Sequence, residues 1–414
     1  MLETVQRAFA DRPSPLLSYG LPFAEALPRH VHETFAASRV YAIVSRGLAA
    51  QSDVVQQVQG ALGADIIGGA RIGMRPHTLW SEVLEIVAEA RSSNADLLLV
   101  IGGGTLTDAA KVVSLALAND ASTASDLATL SDSPQQRPLS TIRPPTIPII
   151  SIPTSLSAAE YSNLAGATDD ATSHKHVYGP PLEGPRLVIL DPALATTTPM
   201  NIWLSSGFRA VDHCVETYCS LINTTDKSDA LAMKALGVLV PGLLRLKHNP
   251  GDLATRLQCQ LASIDAVASI TLPKGKAVEL GGSHGIGHQL GPLGVGHGDT
   301  SCILLPAVCR YNASQNANSA HQERLRDWLM SLPVVAETLQ RRSVGQGQGA
   351  PDLHVVLDAV IRELGLPRSL GDVNVGRDAL DMLAENSLKD WCCGTNPAPL
   401  MEKGQVLEIL EMVI

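Results

Sequence analysis

Between Val40 and Ile101 the apolar positions change period twice. Val40-Tyr-Ala-Ile-Val44 is a short unbroken apolar run followed by Ser-Arg-Gly, which predicts a strand ending in a turn. Ala64-Asp-Ile-Ile67 predicts a second strand. From Leu79 to Arg91 the apolar residues recur at helical spacing, and Asp96-Leu-Leu-Leu-Val-Ile101 is again nearly all apolar. Strand, helix and strand, with both strand faces apolar, predict a parallel sheet buried on both sides. The last strand runs into Gly102-Gly-Gly-Thr-Leu-Thr-Asp-Ala-Ala-Lys111, so a glycine triplet opens the next helix. Residues 119–145 are rich in Ser, Asp, Ala and Pro and read as a long loop with at most one irregular helical turn. Thr146–Ile152 and Leu187–Leu190 resume strand character, and Ala193–Pro199 reads as a linker.

Beyond about residue 200 the period becomes helical. Helices are expected over Trp203–Leu221, Asp229–Leu246, Leu257–Ser269, Glu323–Leu332, Leu353–Leu364 and Arg377–Asn386. Ser301–Leu305 fits a strand or a helix equally, and no internal repeat is visible. An α/β domain over residues 1–197 and an all-α domain over residues 198–414 are expected, since 414 residues exceed one core.

Composition narrows the function classes. Hydrophobic content of 45% with 17% charged residues describes a soluble protein with ample core. A net charge of −10 argues against a nucleic acid or an anionic membrane as partner, and leaves an anionic small molecule open through a local cation. Aromatics, at 3%, are too scarce for stacking platforms. The seven cysteines include no CxxC pair, which predicts reduced thiols in a cytoplasmic protein. The first residues show no leader pattern, and no apolar run reaches membrane-spanning length.

The densest candidate chemistry is Gly281 to Thr300, where His284, His288 and His297 lie among glycines. His284 and His288 stand four apart and share a helix face; His297 can return to them through a glycine-rich turn. Converging imidazoles suit a zinc- or iron-type metal, or acid–base work near neutral pH. The glycine triplet Gly102–Gly104 with Thr105 offers backbone N–H groups to a phosphate at a helix N-terminus, or is simply a tight turn. Thr154 and Ser155 follow the strand at Ile152, on the side where open sheets bind ligands. Turn and cap chemistry explains such hydroxyls equally well.

Five motifs in order resemble the iron-containing alcohol dehydrogenase family. They are Gly102-Gly-Gly-Thr-Leu-Thr-Asp-Ala-Ala-Lys111, Pro153-Thr-Ser, Leu190-Asp-Pro-Ala-Leu194, Gly207-Phe-Arg-Ala-Val-Asp-His-Cys-Val-Glu216 and His284-x-x-x-His288…His297-Gly. The resemblance runs from the Val40 strand to Asn396-Pro397. It implies a dehydroquinate-synthase-like fold, with an α/β dinucleotide-binding domain, a helical domain carrying the histidines, and the active site in a cleft. It implies NAD or NADP as cofactor, with Gly102, Gly103, Gly104 and Thr105 at the pyrophosphate, Asp108 nearby, and Thr154 and Ser155 beside adenine and ribose. His213, His284 and His297 match the family's metal-ligating histidines, and His288 matches the one beside the nicotinamide, a candidate proton carrier. A homodimer acting on a small molecule completes that expectation.

Two positions depart from the family pattern. Its aspartate ligand is Arg209 here, which cannot coordinate. At about 6 Å, a +1 and a +2 charge repel by roughly 5–6 kcal/mol at an effective dielectric of 20. Weak or absent iron or zinc, and a taste for carboxylated substrates, follow; the maleylacetate reductases, metal-independent members acting on dicarboxylates, lack that aspartate too. The bland alternative pairs Arg209 with Glu216 or Asp212. Asp212 projects about 100° from His213, so it could replace the missing ligand only if the backbone shifts. Arg46, after the first strand, stands where NAD-preferring members tend to carry an acid, and is suited to a 2′-phosphate or is simply solvated. The expected activity is hydride transfer between NAD(P)H and a small carbonyl or conjugated keto acid. The alternatives are a non-redox lyase of the dehydroquinate-synthase type and a catalytically silent binding protein.

Overall fold

The computed structural model describes residues 2–131, 141–172, 174–271, 277–345 and 349–414. Two compact units divide the chain, Met1–Thr198 and Pro199–Ile414. Among the described residues of the first, nine strands are present: β1 (Thr4–Arg7), β2 (Leu16–Tyr19), β3 (Val40–Val44), β4 (Ile67–Ile72), β5 (Leu97–Gly102), β6 (Ile149–Pro153), β7 (Ala165–Thr168), β8 (Lys175–Tyr178) and β9 (Leu187–Leu190). Seven form one sheet in the order β1-β2-β9-β6-β5-β3-β4, parallel except where β1 pairs with β2. The expected parallel sheet is therefore present, and β7 and β8 form a separate antiparallel ribbon that the apolar pattern did not reveal.

The continuous apolar runs are explained by burial on both faces. Alternate residues of β3 and β5 feed two cores: Tyr41, Ile43, Leu98 and Val100 on one side, and Val40, Ala42, Val44, Leu97, Leu99 and Ile101 on the other. Truncating one such residue, Leu99→Ala for example, should cost about 2–5 kcal/mol. The second strand was expected at Ala64–Ile67 but occupies Ile67–Ile72. Gly68 and Gly69 concealed it. A Cβ on Gly69 would lie 2.9 Å from the Tyr41 ring, so the missing side chain is what lets β4 close on β3.

The long loop also needs correction. It contains a helix, Ala124–Leu130, started by a capping box in which Thr123 Oγ1 accepts from the Asp126 N–H and Asp126 accepts from the Thr123 N–H. Residues 132–140 of that stretch lie outside the described residues. The linker at Ala193–Pro199 contains a 3₁₀ turn, Leu194–Thr197.

Among the described residues the regular elements of the second unit are all helices. Met200–Cys219, Asp226–His248, Leu253–Ile270, Ser319–Ser331 and Leu353–Leu364 match the expected helices within a few residues. Ser301–Leu305 resolves as helix, inside His297–Ser314. The last expected helix is shorter, Leu380–Ser387, after a 3₁₀ turn at Arg377–Ala379. Among the described residues no helix is long and apolar enough to cross a membrane.

Candidate active site

In the first unit the singled-out residues meet at one edge of the sheet. Ser45 and Arg46 follow β3, the glycine triplet ends β5, and Thr154 and Ser155 follow β6, three adjacent parallel strands. The chain moves outward from β3 to β4, then crosses to β5 on the other side. The direction of winding thus reverses between β3 and β5, which is where such sheets leave a ligand crevice.

The helix Gly104–Ala118 begins there with no side chain capping it, which leaves its first amides for a ligand. A Cβ on Gly104 would come within 2.8 Å of Ser157 Oγ, whereas one on Gly103 would find Ser155 Oγ at an ordinary 3.5 Å. The edge is thus a narrow cradle of backbone and hydroxyls, fitting a pyrophosphate, with Ser157 joining the residues expected. Thr154 is tied into the fold, its N–H donating to Gly102 O and its carbonyl accepting from Thr198 Oγ1. Asp108 is more structural than expected. Its carboxylate accepts from the Gly166 N–H at 3.2 Å and faces the buried Lys111 ammonium at 3.3 Å, anchoring β7 to the helix. Arg46 is exposed, and its stem crosses Gly73.

Beside the cradle, Glu160 is buried with Lys111, Asp108 and Tyr161 as its charged or titratable neighbours. Burial raises its pKa to about 7.

In the second unit three helices build a dense polar centre. Met200–Cys219 carries Arg209, Asp212, His213 and Glu216, spaced so that all lie within one broad face. Gly282–Leu290 carries His284 and His288, and His297 opens the helix His297–Ser314. The close approach depends on missing side chains. A Cβ on Gly298 would lie 2.5 Å from the Ser205 backbone, and one on Gly285 would lie 2.6 Å from Cys393 Sγ.

Glu216 organises the start of the middle helix. It accepts from the N–H groups of Gly281 and Ser283, at 3.1 and 2.9 Å, and shares a hydrogen bond with His284 Nδ1 at 2.6 Å. Asp212 is fully buried and accepts from Ser283 Oγ at 3.1 Å and Ser301 Oγ at 2.5 Å. Arg209 Nη1 donates to His297 O at 3.2 Å and to Ser301 Oγ at 3.5 Å. Ser301 therefore links the guanidinium to Asp212. The His213 and His284 rings stack, with centroids 4.8 Å apart. His288 stands at the margin, about a quarter exposed, with Nδ1 2.8 Å from Asp390 Oδ2.

Burial sets the charges here. It pushes Glu216 up to about 7 and Asp212 well above the carboxylate range, Asp212 further because Glu216 repels its charge. Burial, with neighbouring histidines and Arg209, pushes His213 and His284 well below the ordinary histidine value, so both rings are neutral near pH 7. A neutral His284 donating from Nδ1 presents a lone pair at Nε2. That atom, Asp212 Oδ1 and His213 Nδ1 are buried without a hydrogen-bond partner among the described residues.

These donors do not reproduce the arrangement expected for iron. The group whose donor atoms lie within 4.8 Å of one another is Asp212, Glu216 and His284; His213 and His297 are outside it. Within that group Glu216 and His284 Nδ1 already bond each other, and Arg209, at the position where the resemblance expects the aspartate ligand, bonds His297 O instead. Asp212 reaches the centre on an unbroken helix, 3.6 Å from His284 Nδ1, so the expected backbone shift is not needed. The two carboxylates the alternative offered, Asp212 and Glu216, both favour the Arg209 charge; its recorded hydrogen bonds go to the next helix, at His297 O and Ser301 Oγ, and Ser301 in turn donates to Asp212. Ser283, Ser301 and Asp390 had no signal in the sequence, because each enters from another helix. Glu216 was visible as the last residue of the α-helical motif, but its grip on His284 was not.

Models of known families match most of the chain: "Iron-containing alcohol dehydrogenase" over residues 22–192, and "Fe-containing alcohol dehydrogenase family, C-terminal" over residues 203–414. The chain is 37% identical over 392 residues to Dehydrogenase ALT3 of Alternaria alternata, covering 91% of this chain and 99% of the relative. It is 35% identical over 422 residues to Dehydrogenase FUM7 of Gibberella moniliformis, covering 96% of each. Maleylacetate reductase from Agrobacterium tumefaciens shares the fold, with a TM-score of 0.72 at 20% identity over 99% of this chain and 98% of that one. With sequence, fold and motif-bearing residues in agreement, the chain belongs to the iron-containing alcohol dehydrogenase family and is an oxidoreductase.

Proposed function

We propose that the protein moves hydride between NAD(P)H and a small carbonyl compound, preferring a conjugated keto acid, at a site that works without metal. The observation carrying this reading is Arg209, a guanidinium fastened to His297 O and Ser301 Oγ where the family pattern has a metal-ligating aspartate. The site fits the cofactor and not the iron.

Gly102, Gly103, Gly104 and Thr105 hold the pyrophosphate through backbone amides, with Ser155 and Ser157 beside them and Thr154 supporting the loop. Arg46, exposed just after β3, takes a 2′-phosphate, favouring NADP(H). When bound, the nicotinamide supplies or receives the hydride. Reduction places negative charge on the carbonyl oxygen, and that oxygen must then gain a proton. His288, partly exposed, delivers it from Nε2, and takes it back when the alcohol is oxidised. The Arg209 guanidinium offers N–H groups to a substrate carboxylate or to the developing alkoxide. Neutral His213 and His284 line the same centre as acceptors for a substrate hydroxyl.

Two further readings complete the proposal. A homodimer is supported by β1, an edge strand with all four residues exposed. A cytoplasmic location is supported by seven free cysteines.

The test is NADPH oxidation by purified protein with maleylacetate and with lactaldehyde, before and after chelation, alongside elemental analysis. Turnover of maleylacetate that survives the chelator is expected. One tightly held iron or zinc per chain, with activity lost on its removal, would overturn the metal-free reading.

A further inference from the structure

We propose that Asp390 is a positioning residue: it fixes the His288 ring in the tautomer that leaves Nε2 free to exchange the proton with substrate. This inference rests on the reading of His288 as proton carrier.

The two oxygens of Asp390 have separate tasks. Oδ1 accepts from the Cys392 N–H at 3.0 Å and starts the short helix Trp391–Thr395. Oδ2 lies 2.8 Å from His288 Nδ1. A carboxylate only accepts, so a neutral His288 must carry its proton on Nδ1, with the lone pair on Nε2. The same carboxylate supports the ring when it carries both protons.

Position, too, is over-determined. Gly285 lets the turn at Cys392–Cys393 close against the helix Gly282–Leu290, because any Cβ there would strike Cys393. The His288 ring then stands between two others, His284 edge-on at 6.2 Å and Trp391 at 6.4 Å. Capping alone needs one oxygen, and a partly exposed histidine needs no buried partner. The second oxygen is what a proton carrier requires.

Asp390→Asn separates the two tasks. Asn caps a helix about as well as Asp. The Cys392 N–H demands the amide oxygen, which turns the NH₂ toward His288. That NH₂ donates to Nδ1, moves the ring proton to Nε2 and opposes the doubly protonated ring. D390N should therefore fold normally, with kcat for maleylacetate reduction by NADPH down about 10²-fold and KM changed little. The double variant D390N/H288Q should be no slower than H288Q alone, because both remove one function.

A second measurement needs no substrate. Nitrogen-15 spectra of histidine-labelled protein, with the His288 signal assigned by its loss in H288Q, should show the Nδ1–H tautomer in the parent and the Nε2–H tautomer in D390N. An Nε2–H tautomer in the parent, parental kcat in D390N, or multiplicative losses in the double variant would each overturn the proposal. H288Q at parental kcat would remove the proposed proton carrier itself, and would be seen separately from the tautomer.

Discussion

The cradle at the sheet edge and the polar centre of the helical unit are built from opposite materials. The cradle is backbone: an uncapped helix start, glycines and hydroxyls, with Asp108 turned aside to anchor β7. The centre is side chain: two buried carboxyl groups, a guanidinium and the neutral imidazoles of His213 and His284 converge from two helices, and Ser301 of a third links them. A backbone site depends on a short contiguous run and tolerates change around it. A side-chain site depends on partners distant in the chain, so one replacement there, Arg209 where the resemblance expects an aspartate, is proposed to redirect its chemistry.

The sharpest way to break this contrast is Gly103→Asp. A Cβ fits there at ordinary contact, so the fold should survive while the new carboxylate faces the phosphates. Loss of NADPH affinity by about 10³-fold is expected from two like-charge contacts at short range. Calorimetric titration giving parental affinity would reduce the glycine triplet to a turn.

Glu160 shows that the cradle has its own buried charge. Its folded pKa of about 7 exceeds the ordinary 4.5, so between those values the unfolded chain loses the proton first. Stability from this group therefore falls as pH rises through that window, and the penalty, about 3 kcal/mol, is complete above pH 7. Glu160→Gln should match the parent near pH 4 and exceed it by about that amount at pH 8 in urea unfolding. A difference independent of pH would contradict the assignment.

In the helical unit Arg209→Asp restores the family's residue. Keto-acid kcat/KM should fall about 10²-fold as a buried charge partner is lost, while affinity for added iron or zinc rises. Unchanged keto-acid kinetics would detach Arg209 from substrate. The smallest effect belongs to Arg46→Asp, expected to move the NADPH-to-NADH preference about tenfold toward NADH. A parent already strict for NADH would show that Arg46 is merely solvated.

The apolar runs at Val40–Val44 and Leu97–Ile101 determined the buried parallel sheet, because burial on both faces leaves no alternation to misread. The glycine triplet was legible for a related reason: a backbone cradle is written in consecutive residues. Strand β4 extends beyond its apolar signal, because Gly68 and Gly69 carry none and their value appears only against Tyr41. Helical spacing placed His284 with His288, and Arg209 with His213, each on one face. It could not say that Glu216 would take His284 Nδ1, that Ser301 would join Arg209 to Asp212, or that Asp390 would hold His288. Those partners are separated by 68 to 102 positions in the chain, and a hydrogen bond depends on tenths of an ångström that only packing supplies. Periodicity therefore decided which residues share a face, and the tertiary structure decided which proton and which charge each one carries.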